Sequence, residues 1–218
     1  MATPRVPRVP RVPPPASVPF EGEPLPRSFY AREVLVVARA FIGKILVHRA
    51  PEGTTAGRIV ESEAYRGPED LAAHSANGRR TRRTEVMFGP PGHAYMFLLY
   101  GMHWAFNIVV ATEGAPHAVL VRAIEPVHGL DLMSLRRGVE PGRVTLTNGP
   151  GKVSGALGLT GAYYGEDVCE GRLFLAEGKG GPVGCSPRIN VDYAGEWAQR
   201  PWRFYERGNR YVSVPPRS

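Results

Sequence analysis

An α+β fold built on a mainly antiparallel sheet is what this sequence predicts. Short β-like runs outnumber helical ones, and Gly-Pro or Asn-Gly pairs punctuate them at Gly67-Pro68, Asn77-Gly78, Gly89-Pro90 and Asn148-Gly149. One segment, Ala31–Gly43, carries an unmistakable helical period. Many short strands with few flanking helices argue for a single domain, and 218 residues suit one domain with a short appendage.

The elements follow in chain order. Residues 1–26 read as a tail, with Pro-Arg-Val repeating from Pro4 to Pro13. Proline at every third position removes backbone donors and favours an extended polyproline II path, so disorder is expected there. Its arginines either brush a phosphate backbone or belong to a dispensable extension. The domain proper is expected over 27–218, with folding starting near Leu25. In AREVLVVARAFIG, the residues Val34, Val37, Ala38 and Phe41 keep the i, i+3, i+4, i+7 spacing, and Gly43 sits where a helix would stop. Strands are predicted at Lys44–His48, Gly57–Tyr65, Ala94–Leu99, Asn107–Ala111 and Ala118–Ile124. Helices are predicted at Gly129–Arg137 and Gly151–Leu159, and final strands at Arg172–Ala176 and Tyr211–Val214.

Composition removes several function classes. Hydrophobic residues at 43% and charged residues at 22% are ordinary for a globular chain, and Gly plus Pro stay below the low-complexity range. No apolar run approaches the ~20 residues of a membrane helix, and the first residues lack the layout of a secretory signal. Cys169 and Cys185 cannot build a disulfide framework and fit a reducing compartment. We expect a cytoplasmic, nucleoid-associated protein in a bacterium, or a nuclear one in a eukaryote. The net charge of +7 suggests a polyanionic partner. Only Lys44, Lys152 and Lys179 are lysines, so arginine supplies nearly all the positive charge. Arginine suits bidentate phosphate contacts, although a codon bias produces the same skew.

The familiar catalytic patterns are missing. The histidines form no HExxH, there is no zinc-spaced Cys pair, and the zinc deaminase pattern, GxGxxG, Walker and GxSxG motifs are absent. We expect no metal and no cofactor. What remains is the strand Gly57–Tyr65, where period-two alternation places Glu61, Glu63 and Tyr65 on one face. His74 follows, then the run Arg79-Arg80-Thr81-Arg82-Arg83. Two carboxylates and a phenol on a buried strand are costly unless paired or functional. The set suits general-base chemistry beside a phosphate backbone; a surface strand salt-bridged to the arginines is the other reading. A second constellation is Tyr95–Asn107, YMFLLYGMHWAFN. Tyr100-Gly101 reads as a hairpin tip, where an aromatic can wedge between bases; core packing is the alternative for the other aromatics. Lys152, in a GPGK turn opening a helix, suits a phosphate contact. As an amine nucleophile it would make a lyase, which is the weaker reading.

Together these residues resemble the alkyladenine DNA glycosylase family, also called methylpurine or 3-methyladenine DNA glycosylases. The matching blocks are Gly57–Ser75, Met87–Asn107, Val119–Pro126, Asn148–Gly158 and Ala194–Tyr205. The resemblance implies a compact α+β fold with a curved, open-barrel-like antiparallel sheet. It implies a monofunctional enzyme of base-excision repair that flips damaged purines out of duplex DNA and hydrolyses the N-glycosidic bond. Under it, Glu63 is the general base and Arg122 lies near the catalytic water and the target phosphate. Tyr65 and His74 are walls that stack on the flipped base, and Leu120 lines the pocket. Asn107 obstructs the exocyclic amine of normal guanine, and Tyr100 fills the gap left in the duplex. Phe97 stands where the human-type members carry tyrosine, which keeps stacking and removes a hydroxyl. DNA contacts are expected from Tyr100, Met102, His103, Arg79, Arg80, Thr81 and Lys152. The expected partner is double-stranded DNA with damaged purines, met by a monomer. A binding module that lost its chemistry, and a hydrolase of free nucleosides, are the competing classes.

Overall fold

The computed structural model describes residues 20–215. The Pro-Arg-Val repeat lies outside the described residues. Eight strands form one open sheet whose neighbours all pair antiparallel. They are β1 Ile45–Ala50, β2 Gly53–Arg66, β3 Ala94–Leu99, β4 His103–Val110, β5 His117–His128, β6 Leu173–Ala176, β7 Val183–Ser186 and β8 Arg203–Glu206. The spatial order is β3-β4-β5-β2-β1-β6, and β8 joins the far half of β2 and carries β7. With the helices α1 Arg27–Tyr30, α2 Val34–Phe41, α3 Leu130–Arg137 and α4 Pro150–Leu157, this is a mixed α+β domain. None of the described helices is long and apolar enough to cross a membrane.

The helical period of the first segment is realised in α2, which buries Val34, Val37, Ala38 and Phe41 against the sheet. It begins three residues later than the periodicity predicts. The Glu33 carboxylate caps it, accepting from the amides of Leu35 and Val36 at 2.8 and 3.1 Å, and so satisfies donors that a helix start leaves open. After α2 the chain turns at Gly43, φ +93°, where an added Cβ would lie 2.3 Å from the Gly180 amide nitrogen. Upstream, Leu25 is buried and its amide donates to the Leu175 carbonyl at 2.8 Å.

The sheet separates two layers. On one face, Met96, Phe106, Ile108, Val119 and Val121 join α2, α3 and α4 in the main core. On the other face a smaller group, Met87, Tyr95, Val109 and Ala118, borders an open cavity. Both faces of β2 are therefore covered, and it is buried almost throughout rather than alternating. Ser62, on the helix side, donates to the Ala38 carbonyl at 2.8 Å.

One strand expectation fails. Tyr211–Val214 forms turns, because the Ser213 amide and hydroxyl donate to the Glu61 carboxylate at 2.6 and 2.9 Å instead of to a neighbouring strand. The strand that does close this region is β8, which overlaps the end of the Ala194–Tyr205 block and runs one residue beyond it.

Candidate active site

A single row of residues crosses four strands, and three of those residues, Leu120, Asn107 and Tyr95, form the floor of the cavity. Glu63 of β2 pairs with Leu120 of β5, Leu120 with Asn107 of β4, and Asn107 with Tyr95 of β3. Residues directly opposite in a sheet share a face, so the sheet register alone gathers four side chains separated widely in sequence. The cavity encloses about 630 Å³, within the range of small-ligand sites. Period-two alternation then adds Tyr65, Ala118, Arg122, Ala105 and Phe97 to its lining.

Glu63 has no exposed surface. Its Oε2 accepts from the Tyr65 hydroxyl at 2.8 Å and lies 3.3 Å from Arg122 Nη1. Its Oε1 accepts from the Ile189 amide at 2.8 Å. All three partners line the cavity, so the carboxylate stands one contact behind the wall. Burial and the Glu63 charge push the Tyr65 phenol well above its ordinary range and keep it a neutral donor.

Arg122, two residues beyond Leu120 and on the same face, sits at a bulge. Val121 faces Ser62 and Ala123 faces Glu61, which leaves Arg122 as the extra residue of β5. Its guanidinium reaches both carboxylates, with Nε 3.3 Å from Glu61 Oε1. Glu61 is otherwise consumed structurally. It accepts from Arg203 Nε at 2.7 Å and from Ser213, and Arg203 is itself 2% exposed. The two carboxylates of the strand thus differ: Glu61 is locked to the C-terminal segment, whereas Glu63 sits behind the cavity.

The opposite wall comes from the loop after β2 and from β3. His74 stacks on Phe97 with ring centroids 3.9 Å apart and shares a 2.8 Å hydrogen bond between its Nδ1 and the Tyr95 hydroxyl. Desolvation of the ring, with Arg83 and Arg79 nearby, lowers the His74 pKa to about 4, so the imidazole is neutral at ordinary pH. Arg83 lies over Phe97, 4.8 Å from the ring centroid. The Asn107 amide nitrogen donates to the carbonyls of Tyr95 and Ala105 at 3.1 and 3.4 Å, which fixes that side chain in the floor.

At the mouth, β3 and β4 turn through Tyr100 and Gly101, with φ +50° and +72°. Positive φ at both central residues is what a type I′ hairpin needs. Glycine takes that conformation freely and tyrosine does not, yet Tyr100 stands 79% exposed at the tip. Met102 is also exposed, and Tyr100 and His103 line the rim. Lys152, in the first turn of α4, lines the rim too and donates to Asn148 Oδ1 at 2.8 Å. The Arg79–Thr81 group lies outside the cavity lining. Arg80 is engaged by Glu85 at 2.6 and 3.0 Å, and the Thr81 amide donates to Thr84 Oγ1.

Two participants have no sequence signal ahead of the structure. Ile189 supplies an amide to Glu63, and Arg188, next to it, forms a buried two-pronged pair with Asp70 at 2.5 and 2.8 Å. Both sit in a strand-poor stretch, and only the fold brings them to β2. Asp70 also accepts from the amides of Arg66 and Ala72 at 3.1 and 3.0 Å, holding the loop that delivers His74.

Comparison with known proteins agrees with this architecture. Residues 28–210 match the model of a family described as methylpurine-DNA glycosylase. The chain is 46% identical over 199 residues to a protein of Desulfitobacterium hafniense, covering 87% of this chain and 98% of the relative. It is 49% identical over 192 residues to one of Methanocella arvoryzae, covering 87% and 95%. A Myxococcus xanthus relative is 50% identical over 195 residues, covering 88% and 94%. Each of the three bears the name "Putative 3-methyladenine DNA glycosylase".

Proposed function

This chain belongs to the methylpurine-DNA glycosylase family, hydrolytic N-glycosylases of base-excision repair, and from that premise we propose how its cavity performs the reaction. A damaged purine, alkylated or deaminated, swings out of duplex DNA and enters between Tyr65 on one side and His74 with Phe97 on the other. Extrusion costs a few kcal/mol, least for damaged bases. Tyr100 offsets part of this by filling the vacated stack. Met102, His103, Arg79, Arg80, Thr81 and Lys152 meet the duplex around it, Arg80 after exchanging Glu85 for phosphate. Asn107 in the floor rejects the exocyclic amine of normal guanine, and Leu120 packs beneath the base.

The bond that breaks joins the sugar C1′ to the purine nitrogen, and its electron pair leaves with the base. Positive charge develops at the sugar, as in other glycoside hydrolyses. Water attacks C1′ while Glu63 accepts its proton, so hydroxide equivalents end on the sugar and the proton on the carboxyl. An alkylated purine is already cationic and leaves as a neutral molecule, so one carboxylate suffices. To receive water, Glu63 exchanges its Tyr65 hydrogen bond or the long Arg122 contact; catalytic contacts often tighten only when substrate is bound. Arg122 orients Glu63 and approaches the target phosphate. A neutral His74 does not repel a cationic base. Lys152 is a phosphate contact in this reading, which leaves the enzyme without a lyase step. One chain carries every group required, so the protein acts as a monomer.

The observation that carries this reading is a fully buried Glu63 held by Tyr65, Arg122 and Ile189 at the wall of an aromatic-lined cavity. Glu63→Gln tests it. Release of base from methylated duplex DNA should fall by about 10²–10⁴-fold, the range of general-base contributions, while lesion binding persists. Full turnover in that variant rejects the assignment.

A further inference from the structure

The Tyr65 wall of the cavity has a guanidinium on its far side. Arg188 lies with Cζ 4.8 Å from the Tyr65 ring centroid and 5.1 Å from that of Trp202. Its side chain is fully buried and outside the cavity lining, whereas Tyr65 lines the cavity. The Phe97 wall differs, because His74 covers that ring at 3.9 Å and Arg83 lies exposed, 4.8 Å from the same ring. Arg188 does not touch the reacting atoms, and the mechanism above does not use it.

An aromatic face attracts cations through its negative quadrupole. A guanidinium on one face draws on that same π density and adds positive charge one ring thickness from whatever stacks on the other. Burial strengthens the effect, because little water screens it. Asp70 bonds the edge of the Arg188 guanidinium at 2.5 and 2.8 Å, together with the carbonyls of Ala64 and Trp197 at 2.9 and 3.2 Å. The ring of Tyr65 therefore meets the cation itself.

We propose that Arg188, set behind the Tyr65 wall, is a positioning residue that determines specificity. It suppresses the cavity's preference for cationic over neutral purines. This inference rests on the reading of the cavity as the receptor of a flipped base. The cationic methylpurine gains its advantage at the bond-breaking step, not in stacking. A neutral purine is bound nearly as well as its charged counterpart.

The test uses the intact protein and two duplexes that differ in charge alone. One carries 7-methylguanine on a 2′-fluoro sugar, which resists cleavage. The other carries the neutral isostere 7-methyl-7-deazaguanine on the same sugar. Affinities are measured by fluorescence anisotropy at mildly acidic pH, where the first base keeps its charge. Asn107 meets the same exocyclic amine in both, and a general loss of DNA affinity cancels in the ratio. The native protein should favour the cationic duplex by less than about tenfold. Asp70→Asn combined with Arg188→Gln removes both buried charges and should raise that ratio about threefold or more, the low end of cation–π strength. A native preference above about tenfold overturns the proposal, as does an unchanged ratio in the folded double variant. If both duplexes bind and the ratio stands still, only this inference fails. If neither binds better than undamaged DNA, the receptor reading fails and takes the inference with it.

Discussion

The Tyr65 hydroxyl hydrogen-bonds Glu63 at 2.8 Å, two residues back along the same strand. The residue that walls the cavity is thereby also a ligand of the proposed base, and its two roles separate by mutation. Tyr65→Phe keeps the ring and frees an oxygen of Glu63, so base release should stay within about tenfold of the native rate. Tyr65→Ala removes the stack, and lesion affinity should drop by ~1–3 kcal/mol. Single-turnover release and duplex binding, measured side by side, distinguish the two; equal losses in both variants would contradict this division.

Tyr100 sits at φ +50° and almost fully exposed. Replacing it by glycine relieves a left-handed cost of roughly 1–2 kcal/mol, partly offset by the ~0.5–1 kcal/mol entropic penalty of glycine. Tyr100→Gly should therefore melt at a slightly higher temperature and bind lesion duplexes less tightly. Stability and affinity moving in the same direction would show that the tip is not strained for a purpose.

Glu61 and Glu63 should respond differently to loss of charge. Glu61→Gln weakens the partner of the buried Arg203, and breaking such a pair typically costs ~3–5 kcal/mol. In Glu63→Gln, Arg122 retains Glu61 at 3.3 Å. Urea denaturation should rank Glu61→Gln as the less stable of the two, whereas base release should rank Glu63→Gln as the less active.

Acid should destabilise the fold in a defined window. His48 is buried, with Nδ1 2.7 Å from the Leu157 carbonyl and Nε2 unpartnered among the described residues. Desolvation lowers its pKa, with Arg136 and Arg172 adding to the effect; His117 is lowered mainly by burial too. The unfolded chain therefore binds more protons than the fold below the ordinary histidine value of ~6.5, and stability is lost as pH falls through that value. The urea midpoint should decline from about pH 7 to pH 5, and His48→Gln should flatten the decline. A slope identical in that variant would remove His48 from the account.

What the sequence revealed and what it hid divide along one physical line. Ala94–Leu99 is a strand over the very residues its pattern predicts, and the buried face of α2 follows its period, because both signals are local. The shared face of Glu63 and Tyr65 is legible for the same reason. The Arg122 bulge is not, since it depends on how β5 registers against β2. Arg188 is invisible from its neighbours; its partner Asp70 lies 118 residues away. Tyr211–Val214 carries a strand-like composition, yet the Glu61 carboxylate draws Ser213 out of any ladder.

The floor of the cavity and the carboxylate behind it lie on one rung shared by four strands, from Glu63 to Tyr95. No contiguous peptide contains it, and a chain missing any of those pairings has no receptacle at all. Catalytic competence should therefore emerge late and all at once during refolding, so that enzymatic output doubles as a gauge of how much of the population has completed its sheet.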